Sequence, residues 1–170
     1  MLVPEARSWF SPFPCVRTLK GFDWDSSTAD RRQIEELSHC RWVANGDALL
    51  FLGLSGVGKT HLAIALGRAA IERGYSTLFT SAVGLLTSLT KAQSEGHLEE
   101  RLTLFYKPKL LIVDELGYLS FERECAHLFF QLISRRYERG SLLVTSNRSV
   151  SKWMTPTRSE ERRVGKECRS

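Results

Sequence analysis

Residues 48–73 read ALLFLGLSGVGKTHLAIALGRAAIER, and the order of their parts decides the fold. Positions 48–52 (ALLFL) are a short continuous apolar run, the pattern of a strand buried on both faces. Gly53 to Thr60 follow at once as Gly-x-x-x-x-Gly-Lys-Thr. Over 61–73 the apolar residues Leu62, Leu66, Ala69 and Ala70 recur every three to four positions, which predicts a helix stopped by Gly74. Strand, glycine turn and helix in that order are what a phosphate-gripping loop requires. Glycines permit positive φ and let backbone approach an anion without a Cβ clash. The first amides of the helix add partial positive charge. The candidate nucleotide-binding residues are therefore Gly53, Ser55, Gly56, Val57, Gly58, Lys59, Thr60 and His61. Lys59 would reach the β- and γ-phosphates of ATP, and the Thr60 hydroxyl would ligate Mg2+. The bland reading is a glycine-rich strand-to-helix turn with no ligand; the lysine and threonine at the helix start favour the phosphate loop.

Working outward, 76–81 (STLFTS), 110–113 (LLIV) and 141–146 (SLLVTS) are further strand candidates. Helical spacing covers 83–93, 98–106 and 122–139, the last with Ala126, Phe129, Phe130, Ile133 and Tyr137 as its buried stripe. Upstream, Thr28 or Asp30 is a cap for a helix predicted over 31–43, followed by the turn Asn45-Gly46-Asp47. Strands alternating with helices imply crossover units and a parallel sheet, so the class is α/β. Pro4, Pro12 and Pro14 mark residues 1–26 as an irregular arm before a folded domain over 27–153. Residues 154–170 carry five basic and three acidic side chains, with Val164 and Cys168 as apolar residues, and read as a disordered charged tail.

The second half of the site lies in LLIVDE, an apolar strand ending in Asp114 and Glu115. Parallel topology brings such a strand end beside the phosphate loop. There Asp114 would hold Mg2+, and Glu115 is the natural base to polarise an attacking water. A small-molecule kinase must keep water from its γ-phosphate, so an acid poised to activate water points to hydrolysis. Asn147, just past the last strand, could orient that water or contact the γ-phosphate; alone it would read as a turn residue. The pairs Arg31-Arg32 and Arg135-Arg136, with Arg139, are either the solvated faces of helices or contacts to nucleic acid phosphate. Phe129, Phe130 and Tyr137 sit at core spacing rather than as a base-stacking platform.

Composition sets the outer limits. The 170 residues are 42% hydrophobic and 25% charged, which excludes global disorder. Lys and Arg (24) exceed Asp and Glu (19) by five, a balance compatible with an anionic partner. No apolar run approaches the roughly 20 residues that span a bilayer, and prolines interrupt the N-terminus where a secretory core would lie, so no membrane partner is expected. Cys15, Cys40, Cys125 and Cys168 lie at least 25 residues apart, and His39, His61, His97 and His127 are equally scattered. That spacing suits a reduced, cytoplasmic chain better than a disulfide scaffold or zinc site.

Taken together, FLGLSGVGKTHLAIALG, LLIVDELGYLSFERECAHLFFQLISRRYERG and SLLVTSNRSVSKW closely resemble the insertion-sequence helper ATPases of the IstB-like family. These are AAA+ relatives of the bacterial helicase loader DnaC. FPCVRTLKGFDWD and RRQIEEL also resemble that family, and the likeness runs over 13–153. It implies a P-loop NTPase of the AAA+ (ASCE) type that binds ATP, assembles as a homo-oligomer when full length, engages double-stranded DNA and serves a transposase. Gly53 to Thr60 match Walker A, Asp114-Glu115 match Walker B, Asn147 matches sensor 1, and residues 22–32 would lie near the adenine. The family's sheet order is 5-1-4-3-2, and its members continue well past Trp153 with the fifth strand, arginine finger and sensor 2. The tail resembles nothing in the family, so the chain reads as a C-terminally truncated copy whose hydrolysis is weak or absent. A helicase loader and an inactive fragment are the alternatives.

Overall fold

The computed structural model describes residues 13–116, 123–137 and 139–147. A 3-10 turn at Leu19–Gly21 leads into α1 (Arg31–Leu37) and α2 (Arg41–Asn45). There follow β1 (Ala48–Leu52), α3 (Lys59–Glu72), β2 (Thr77–Ser81), α4 (Ala82–Ser94), α5 (Leu98–Tyr106), β3 (Leu110–Asp114), α6 (Arg123–Arg136) and β4 (Ser141–Ser146). The strands form one parallel sheet in the order β1-β4-β3-β2. This is the α/β architecture expected from the alternation of elements, in the strand order of the resemblance without its fifth member among the described residues. The arm, tail and domain limits that fall in 1–12 and 148–170 lie outside the described residues.

Local chemistry fixes the element ends. Asp30 caps α1 by accepting from the amides of Arg32 (2.9 Å) and Gln33 (3.4 Å). The single helix expected over 31–43 is instead two, because Cys40 adopts φ 59° and turns the chain. Trp42 spans the break by donating its indole N–H to the Leu37 carbonyl at 2.9 Å. Ser81 caps α4 through the Gly84 amide. Glu99 and Glu100 in the first turn of α5 complement the helix dipole.

Two apolar layers sandwich the sheet. One joins α3 (Leu62, Ile64, Leu66, Ala70) to Leu110, Ile112 and Leu143, with Trp42, Val43 and Phe22 at its margin. The other joins α4, α5 and α6 (Leu85, Leu89, Leu102, Leu128, Leu132) to Leu111, Val113 and Val144. β3 is buried throughout, as its apolar run predicts. β1 departs from expectation: it is the sheet edge, and its alternate residues Leu50 and Leu52 are 42% and 45% exposed. An apolar run identifies a strand but not the number of its neighbours.

α6 departs as well. Phe129 is buried as expected, but Ala126 is exposed and Phe130 and Tyr137 are 68% and 74% exposed. The inward stripe is Leu128, Phe129, Leu132 and Arg136. Arg136 is therefore no surface cation: its guanidinium donates to the carbonyls of Phe105, Tyr106, Pro108, Lys109 and Ser141. Burial pushes its pKa down to about 10, so it keeps its proton at neutral pH. Arg135 forms a two-pronged ion pair with Glu99 that ties α6 to α5 and holds the Glu99 carboxyl below its ordinary range.

Candidate nucleotide-binding site

The sheet brings the glycine loop and the two acids together at the strand ends. β1 runs into Gly53, and Gly56 and Gly58 take φ 84° and 88°, the left-handed region glycine reaches without strain. Gly58 stands at the start of α3, which has no side-chain cap, so its first amides are left for a ligand. A methyl at Gly58 would lie 2.5 Å from the Phe22 ring, so the phenyl seals the back of the loop. Phe22 in turn packs edge-on against Trp24 (4.7 Å) and His61 (5.1 Å). The Ser27 hydroxyl donates to the Val57 carbonyl at 3.4 Å. Phe22 and Ser27 thus lie against the loop.

A cleft of about 250 Å3 opens here, lined by Ser55, Gly56, Gly58, Lys59, Thr60, Glu115, Thr145, Ser146 and Asn147. The Lys59 ammonium folds across the loop and donates to the carbonyls of Gly53 (2.8 Å) and Leu54 (2.6 Å). The Thr60 hydroxyl lies 2.9 and 3.0 Å from the two Asp114 carboxylate oxygens. The hydroxyl and carboxylate that would hold a divalent cation thus stand side by side, 54 residues apart in sequence. Glu115 is exposed at φ 61°, which bends the chain out of β3 toward the cleft. Asn147 is half-buried and lines the cleft beside Glu115, and its Oδ1 is buried with no hydrogen-bond partner among the described residues. An orphaned acceptor on a residue that lines a polar cleft fits a site built for a ligand.

Among the other expected binding residues, Gly53 and Val57 shape the loop without lining the cleft. The His61 side chain turns away, its Nε2 lying 2.9 Å from the Thr18 carbonyl oxygen. Two wall residues escaped the sequence reading: Thr145 and Ser146 close β4. Their signal is a pair of hydroxyls ending an otherwise apolar central strand, beside the strand that carries the acids. In composition the cleft offers backbone amides, one ammonium, hydroxyls and the Glu115 carboxylate, with the buried Asp114 carboxylate behind Thr60, which is the chemistry of a cation-bridged phosphate chain.

The family profile described as IstB-like ATP binding protein matches residues 5–160. The chain is 44% identical to the ATP-binding protein of insertion sequence IS5376 from Geobacillus stearothermophilus, over 84% of this chain and 57% of that one. It is 41% identical to that of insertion sequence IS21 from Pseudomonas aeruginosa, over 88% and again 57%. The chain thus spans a little over half the length of these curated relatives. Among solved structures, the DnaC helicase loader superposes with TM-score 0.64 at 25% identity, covering 84% of this chain and 85% of that one. AMPPCP-bound DnaA from Aquifex aeolicus shares the fold with TM-score 0.68 at 24% identity, over 87% and 47%.

Proposed function

This chain belongs to the family of IstB-like ATP-binding proteins, and from that premise we propose that it is an ATP-dependent helper of DNA transposition, working with the transposase of its own element. ATP lies with its phosphates on loop 53–60, where the amides and Lys59 meet the β- and γ-phosphates. Thr60 and Asp114 would hold Mg2+, which when bound would neutralise charge on the phosphoryl group being transferred. In the full-length form Glu115 would accept a proton from the attacking water and Asn147 would orient that water, so that ATP and water give ADP and phosphate; in this 170-residue chain that turnover is weak or absent. Double-stranded DNA is the polymer partner, for which the net charge of +5 is suited. A homo-oligomer of the full-length form and a cytoplasmic location complete the reading. No helix among the described residues is long and apolar enough to cross a membrane.

The observation that carries this reading is the Thr60–Asp114 contact at the edge of a cleft that Thr60, Glu115 and Asn147 line together. The insertion-sequence relatives favour transposition over helicase loading, because the likeness to DnaC is one of fold while theirs is one of sequence at 41–44% identity. Thermal unfolding tests it. Ligand at a hundred times its Kd stabilises by about 2.7 kcal/mol, so saturating ATP with Mg2+ should raise the melting temperature. Lys59→Ala should abolish the rise while leaving the nucleotide-free melting temperature in place. An unchanged wild-type curve in saturating Mg2+-ATP overturns the proposal.

A further inference from the structure

We propose that Thr145 is a positioning residue that couples the two acids at the end of β3, fixing the carboxylate of Asp114 and the backbone of Glu115 through one hydroxyl. The inference rests on reading the cleft as an ATP site, and concerns a residue that neither the loop motif nor the acidic pair includes.

Thr145 is 1% exposed and follows Leu143 and Val144 in β4. A hydroxyl in such an apolar strand costs free energy unless both its proton and its lone pairs find partners. They do. The Thr145 Oγ1 lies 2.5 Å from Asp114 Oδ1 and 2.9 Å from the Glu115 amide nitrogen. An amide N–H can only donate, so the hydroxyl accepts from Glu115 and its one proton goes to Asp114. A single atom therefore grips consecutive residues, one by its side chain and the other by its main chain.

Both grips bear on the cleft. Asp114 receives hydroxyls from two elements, Thr60 of α3 and Thr145 of β4, so its carboxylate plane is held from both sides. Glu115 sits at φ 61°, a left-handed conformation that costs a non-glycine residue about 1–2 kcal/mol. Consecutive strand residues point to opposite faces, and this turn is the departure from alternation by which Glu115 joins the lining of the cleft, to which Asp114 is linked through Thr60. The amide bond to Thr145 anchors the turn. Without that hydrogen bond the part-buried Glu115 N–H would lose its partner, and the chain would relax toward extended geometry.

The experiment titrates the full 170-residue chain with mant-ATP, with and without Mg2+. Wild type should bind more tightly with the cation present. Thr145→Val keeps the shape and removes the hydroxyl; it should lower that Mg2+-dependent gain about tenfold, the lower range for losing an outer partner of a metal ligand. Cation-free affinity should stay within about twofold. Thr145→Ser should restore the gain, which a purely steric role for the side chain would not predict. If the valine variant does not fold, Thr145→Ser against Thr145→Cys makes the same comparison with a strong and a weak donor. A Thr145→Val gain equal to wild type, or a loss equally large without Mg2+, overturns the coupling alone. A wild-type chain that binds no mant-ATP fails the ATP reading itself, and the coupling with it.

Discussion

Gly58 and Gly56 show how one motif letter can stand for two constraints. Both adopt positive φ, but a Cβ at Gly56 would enter open space while one at Gly58 would collide with Phe22 at 2.5 Å. Gly56→Ala should therefore cost only the backbone strain, about 1 kcal/mol. Gly58→Ala adds displacement of a buried ring and should lose about 2–4 kcal/mol, with a clear fall in melting temperature and nucleotide affinity. Equal losses at the two sites would show that the ring yields freely. The glycines, Lys59, Thr60, Asp114 and Glu115 were legible because a phosphate loop imposes fixed spacing and a strand ends where its apolar run does. Phe22, Thr145 and the turned-away His61 were not, because their roles depend on which distant segment packs against them.

Helix α6 (Arg123–Arg136) makes the same point one level up. Its existence follows from periodicity, but its buried stripe was misplaced by expecting aromatics inside and arginine outside. Arg136 occupies the inward position and knits five carbonyls from the α5–β3 turn and the start of β4, of which Lys109 also accepts from the Ser141 amide at 2.7 Å. A planar cation with five N–H donors suits that cage, and a single sequence cannot show that a turn 27–31 residues away needs it. Arg136→Met should keep much of the volume yet orphan those buried acceptors, destabilising by about 3 kcal/mol or more. Arg135→Met, which removes an exposed pair, should cost little. Urea titration of the two variants separates them; similar midpoints would contradict the cage.

At the scale of the molecule, crossover handedness decides which faces are covered. Going from β1 to β2 places α3 on one face, while the steps from β2 to β3 and β3 to β4 run the other way across the sheet and place α4, α5 and α6 on the opposite face. That alternation was readable from the strand order that the resemblance implies, whereas the apolar run of β1 read as a strand buried on both faces and did not show it as an outer strand of the described sheet. What lies over that edge could not be read from the described elements. Leu50 pairs in register with Val144, so it and Leu52 face the α6 side, where Phe130 and Tyr137 are also exposed. Tyr137 and Ala48 line one groove of about 350 Å3 there, so the start of β1 and the end of α6 adjoin. An edge that no other described strand pairs, beside exposed leucines and aromatics, is a template for pairing with another chain. The 170-residue chain should therefore self-associate as its concentration rises. Leu50→Lys combined with Phe130→Lys places like charges on both halves of that surface while leaving the buried layers intact. In sedimentation velocity the double variant should move the chain toward monomer, at a cost in folding stability of under about 1 kcal/mol. If association persists at wild-type strength, the contact lies on another face and the open edge of β1 is shielded in solution.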